Sequence, residues 1–156
     1  MDDRKFMLKT IEKAAKGVRN GQTPFGACIV KNGKIIALEH NRVWEKGDPT
    51  AHAEVTAIRK ACKKLGTINL KGCTIYSTTE PCPMCFSACH WAGIDRVVYG
   101  TRIEDAKKIG FNEFEIHDSI MKCMGNSCID IKYDFMRDEC LELLNLWRKR
   151  KNRRKY

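Results

Sequence analysis

No stretch of the chain stays apolar for the ~20 residues that a membrane-spanning helix requires, which excludes an integral helical membrane protein. The opening run Met1-Asp2-Asp3-Arg4-Lys5 carries neither a secretory nor a transit pattern, so a cytoplasmic location is expected. Proline is scarce, at four residues, and no linker, internal repeat or low-complexity run divides the chain. A single domain over 1–156 follows as the expectation, long enough to bury one core. A disulfide framework is also missing from the pattern. Nine cysteines is an odd count without a secretion signal, and most read as small buried hydrophobes in a reducing compartment.

A surplus of acid is absent too, and the net charge is +10. Its distribution matters more than its size. Arg148, Lys149, Arg150, Lys151, Arg153, Arg154 and Lys155 hold seven of the 29 cations, and the remaining 22 face 19 acidic groups. The body is therefore nearly balanced. The basic end suits the negative pole of a closing helix, an RNA contact, or docking over a partner subunit's site.

Periodicity supplies the elements. Apolar residues at helical spacing predict helices over 3–20, 50–65 and 135–150, and Pro81 opens another that stops at Gly93. Short apolar runs predict strands at 27–30, 35–38, 73–77 and 96–99, with a weaker edge strand at 128–133. Asn32-Gly33 joins the first two as a tight hairpin. A short helix fits 104–108, 41–49 reads as loop, and 110–126 is left without an element. Strands alternating with helices after a hairpin indicate an α/β fold, a three-layer α/β/α sandwich around a mixed sheet.

Within that frame stands a split pattern: His52-Ala53-Glu54, then Pro81-Cys82-Pro83-Met84-Cys85. One imidazole and two thiolates make three of the four ligands that tetrahedral zinc takes, leaving one position open for water. Zn2+ lowers the pKa of that water from 15.7 towards ~7, and Glu54 is placed to move protons to and from it. His52 and the cysteines fall at helix beginnings, where unpaired N–H groups favour thiolates. Residues two apart on a regular helix diverge, so His52 must sit at an irregular helix entrance if it shares a site with Glu54. A closed structural zinc site lacks its fourth ligand here, because His40, His90 and His117 show no paired spacing. A redox Cys-x-x-Cys would leave His52 and Glu54 unused. Cys89, a turn beyond Cys85, lies too deep to be a favoured ligand, and Cys123/Cys128 lack a second ligand pair.

These residues resemble the cytidine/deoxycytidylate deaminase superfamily. Thr23-Pro24-Phe25-Gly26-Ala27, the run from Asp48 to Arg59, Glu80 to Cys85, Gly110-Phe111-Asn112-Glu113 and the closing tyrosine are most similar to the bacterial guanine deaminase branch. The resemblance implies a five-stranded mixed sheet between helices and a homodimer in which 135–156, the last helix and basic tail, is domain-swapped. It implies one Zn2+ per chain on His52, Cys82 and Cys85, with Glu54 as the catalytic proton shuttle. Asn41, Phe25, Glu113 and Tyr156 become substrate-binding residues, Glu113 standing one methylene longer than the family's aspartate. The implied reaction is hydrolytic deamination of a purine nucleobase, guanine to xanthine and ammonia.

Asp138-Glu139-Cys140 and the basic end resemble instead the tRNA-specific adenosine deaminases. Their Gly-Ala-x-Gly-Ser segment does not follow Gly100-Thr101-Arg102. A tRNA substrate, or cytosine or a nucleoside, therefore stands as the alternative.

Overall fold

A computed structural model describes residues 2–156. Helix α1 (Asp3–Arg19) is capped by Asp2, whose side chain accepts the Lys5 N–H at 3.2 Å. Phe6, Met7, Thr10, Ala14, Gly17 and Val18 form its buried stripe. Strands β1 (Gly26–Lys31) and β2 (Lys34–His40) follow as the expected hairpin. Its turn places Asn32 at φ 49° and Gly33 at φ 71°, the left-handed pair that a tight two-residue connection demands.

Beyond a one-turn helix α2 (Val43–Lys46) come α3 (Ala53–Leu65), β3 (Cys73–Thr79), α4 (Pro83–Trp91) and β4 (Arg96–Thr101). Helices α5 (Ile103–Lys108) and α6 (Asp118–Met124), strand β5 (Asp130–Lys132) and helix α7 (Arg137–Arg148) complete the order. The five strands lie β2-β1-β3-β4-β5. β1 pairs antiparallel with β2 and β3, while β3/β4 and β4/β5 run parallel, so the sheet is mixed as expected.

The pleat divides the core. Ala27, Ile29, Ile75, Val97 and Tyr99 face one side and pack with Ala57, Ala61, Phe86 and Cys89 of α3 and α4. Cys28, Val30, Tyr76 and Val98 face the other, beneath Phe6 and Met7 of α1 and Cys140 of α7. Central strands buried on both faces read as continuous apolar runs, as 27–30 and 96–99 do. A Cβ on Gly100 would stand 2.2 Å from Cys140 Sγ, so glycine is what lets α7 lie on β4.

Five helices differ from expectation, among them α4, which begins at Pro83 rather than at Pro81 because Cys82 is its extended N-cap. Helix α3 begins at Ala53, because Asp48 Oδ1 accepts both the N–H and the hydroxyl of Thr50 and holds 48–50 as a turn. Helix α7 begins at Arg137, since Asp134 and Met136 take positive φ. Helices α2 and α6 occupy stretches read as loop or left open; both are too short for periodicity to register. No described helix is long and apolar enough to cross a membrane.

Candidate active site

His52 is the N-cap of α3 and Cys82 the N-cap of α4, with Pro83 in that helix's first turn. Their extended ψ values, 157° and 165°, turn the two side chains off the helix axes and towards each other. His52 thus sits at the irregular entrance that sharing a site with Glu54 requires. Cys85, one turn into α4, completes a triangle: both Sγ atoms lie 3.6 Å from His52 Nδ1. Ligands at ordinary Zn–S and Zn–N lengths and tetrahedral angles stand about 3.6 Å apart, so the donor set fits zinc.

The electrostatics agree with that fit. The Cys85 thiol donates to Cys82 and, with His52, brings the Cys82 thiol down to about 4 against the burial that opposes it. The same shared proton pushes Cys85 up. Burial would lower His52, and its contact with the Cys82 thiolate outweighs this and raises it. Metal binding displaces the protons that these donors carry. Cys89 is fully buried, its thiol pushed well up by that burial, and it stays outside the cluster. Cys123 and Cys128 are both exposed. A second group of donors, Glu80, Glu104 and His117, also converges, but there the His117 ring already bridges the two carboxylates at 3.2 and 3.1 Å.

Beside the triad, Glu54 is buried from α3's first turn, and burial raises its carboxyl. Its Oε1 accepts from Ser77 Oγ at 2.9 Å, and its Oε2 lies 3.5 Å from Cys85 Sγ. Phe25, Asn41, His52, Glu54, Cys82, Glu113 and Tyr156 line one pocket, together with Thr79 and Glu80. Burial, then the neighbouring Cys82 charge, pushes the Glu113 carboxyl up to about 7.

The chain's last residue closes the pocket. The Asn41 amide donates to the Tyr156 hydroxyl, the Tyr156 carbonyl accepts from Asn112 N–H at 3.1 Å, and the Tyr156 ring lies 5.4 Å from that of His52. The remaining space is about 20 Å³, room for roughly one water.

Thr79, Glu80, Ser77 and Phe111 join the site although no sequence motif singles them out as site residues. Glu80 accepts from Asp118 N–H at 3.1 Å and Ile103 N–H at 3.3 Å and meets His117, so it pins the segment that carries Glu113. Its place directly before Pro81-Cys82 was the one signal available. Phe111 packs 4.9 Å from Phe25 and 5.5 Å from Tyr156, within a segment that showed no periodicity.

A mixed sheet that holds one imidazole and two thiols at paired helix entrances, with a buried carboxylate alongside, defines a zinc-dependent hydrolase. The chain belongs to the family described as the cytidine and deoxycytidylate deaminase zinc-binding region, whose model matches residues 1–101. It is 42% identical over 157 residues to a guanine deaminase of Bacillus subtilis, covering 100% of both chains. The solved guanine deaminase of Nitrosomonas europaea superposes with a TM-score of 0.84 at 29% identity, over 92% of this chain and 82% of that one. A tRNA:A34 deaminase structure gives 0.79 at 30% identity, over 90% and 99%. The chain is thus a zinc-dependent deaminase with the cytidine deaminase-like fold.

Proposed function

We propose that this protein hydrolyses guanine to xanthine and ammonia. The full-length match to a guanine deaminase carries the substrate, and the Glu54 carboxylate beside the His52, Cys82 and Cys85 triad supports the chemistry. Zinc, when bound, supplies the Lewis acidity that makes water a nucleophile at neutral pH. Glu54 takes a proton from the water that attacks C2 and delivers it to the adjacent ring nitrogen. It then carries a proton to the departing amine. One water enters, one ammonia leaves, and the ring keeps a carbonyl.

The surrounding residues orient the base. Asn41 is held rigid because its Oδ1 accepts the Val43 N–H at 3.0 Å. Its amide N–H then points into the pocket, where the ring replaces the Tyr156 hydroxyl. Glu113 offers a carboxyl to the ring's polar edge, while Phe25 and the displaced Tyr156 flank it. Entry of a purine requires Tyr156 to move, since the space left is that of one water. Two chains that exchange residues 135–156 would make the same Tyr156 contacts in a homodimer. A cytoplasmic setting suits nine free thiols.

A wobble adenosine in tRNA is the second reading, favoured by the cationic tail and the tRNA:A34 deaminase likeness. A flipped nucleotide would bring ribose and phosphates through the space of Tyr156. The deciding experiment measures ammonia release by zinc-loaded protein from guanine, guanosine, adenine, cytosine and cytidine, with tRNA assayed for inosine. Guanine turnover that is insensitive to salt is expected. Inosine in tRNA with silent free bases, and steep salt dependence, would reverse the assignment.

A further inference from the structure

Ser77 lies near the end of the central strand β3, paired with Ala27 on one side and Tyr99 on the other. It is 1% exposed, so its hydroxyl is shut off from bulk solvent. Two acceptors meet it: Glu54 Oε1 at 2.9 Å and the Thr79 carbonyl oxygen at 2.6 Å. A carbonyl only accepts, and a serine hydroxyl has a single proton. A carboxylate is the stronger acceptor of the two, so that proton serves Oε1. Oε1 is thereby held from a central strand, by a residue whose backbone is paired on both sides.

We propose that Ser77 is a positioning residue for Glu54, fixing Oε1 from the rigid centre of the sheet and leaving Oε2 as the oxygen that exchanges protons with water and base. This rests on Glu54 being the proton carrier proposed above. The geometry supports the division of labour. Oε2 instead lies 3.5 Å from Cys85 Sγ, beside the donor triad, and Cys85 is no donor once it is a metal-bound thiolate. A carboxylate free to rotate on its χ3 would present either oxygen at random. Burial against a central strand prevents this only if Oε1 has a partner there.

The test compares the zinc-loaded full-length wild type with Ser77→Ala, Ser77→Thr and Glu54→Gln. A hydrogen bond to a charged group of this kind corresponds to roughly a tenfold to hundredfold change in kcat. Ser77→Ala is expected to lose that much in kcat for guanine while KM, zinc content and affinity for 8-azaguanine stay at wild-type values. Ser77→Thr, which keeps the hydroxyl on a strand that accepts β-branching, is expected to recover most of the loss. Wild-type kcat in Ser77→Ala, alongside an inactive Glu54→Gln, would overturn the positioning role alone. So would a loss that merely tracks lost zinc. Full turnover by Glu54→Gln would instead overturn the reading on which it stands.

Discussion

The Asn41 amide nitrogen and the Tyr156 hydroxyl oxygen lie 2.5 Å apart, joining positions separated by 115 residues across the mouth of the zinc site. Contacts next to Tyr156 in the chain hold the tail there. Trp44 Nε1 donates to the Arg154 carbonyl at 3.2 Å, and the Arg154 guanidinium lies 4.7 Å from the Trp44 ring centre. Trp147, only 2% exposed, packs on Phe111 and anchors the tail's root.

Removal of residues 154–156 keeps Trp147 and takes away only the cover. With water admitted and one wall of the pocket lost, kcat/KM for guanine is expected to fall about tenfold or more. Sedimentation of the same variant locates the cover. Dimer and activity lost together mean that tails are exchanged between chains. Activity lost from an unchanged oligomer makes the tail a lid over its own chain.

Chelation tests the triad. Zinc-depleted protein is expected to lose turnover and to melt at a lower temperature, with both restored by Zn2+ and neither by Mg2+, since two of three donors are thiolates. Free zinc at roughly 100 times its Kd adds about 2.7 kcal/mol to folding stability. An unchanged melting temperature on chelation would show that the site is held without metal.

The zinc triad was legible from spacing because its residues cluster in two short motifs, each at a helix entrance that proline or a turn marks. The hairpin and the two-faced sheet were legible because Asn32-Gly33 and the apolar runs obey local rules. What sequence spacing missed lies where tertiary contacts override local preference. Helix α6 forms because Glu80, from the end of β3, accepts the Asp118 N–H at its first residue. Met136 adopts φ 53° as the chain is redirected onto β4. Ser77 looked like one more residue in an apolar strand, since nothing local announces that Glu54 will lie against it.

Cys89 separates ligation from burial. Cys85→Ala is expected to abolish zinc binding. Cys89→Ala is expected to retain one zinc per chain and lose about 1–2 kcal/mol of stability, the scale of a small buried cavity. Metal analysis and urea unfolding of the two variants decide it. Loss of zinc from Cys89→Ala would place a fourth sulfur in the site.

Asp118 gives the sharpest pH prediction. Its residue is 0% exposed, neither carboxyl oxygen has a hydrogen-bond partner among the described residues, and burial followed by repulsion from Glu80 pushes its carboxyl up to about 9. In the unfolded chain the group ionises near 3.8. Between those values the folded protein holds a proton that the unfolded chain has released. This group's contribution is therefore greatest below 3.8 and declines as pH rises towards about 9. Asp118→Asn keeps the shape and removes the titration. Urea unfolding should find it about 1–3 kcal/mol more stable than wild type at a pH near 8, with a smaller difference near pH 5. The sign follows because the wild-type interior must either keep an acid protonated above its solution range or bury an unpaired charge. Equal stabilities at both pH values would mean that Asp118 has a bound partner in solution, and a less stable variant at pH 8 would mean that its ionised form is what the fold needs.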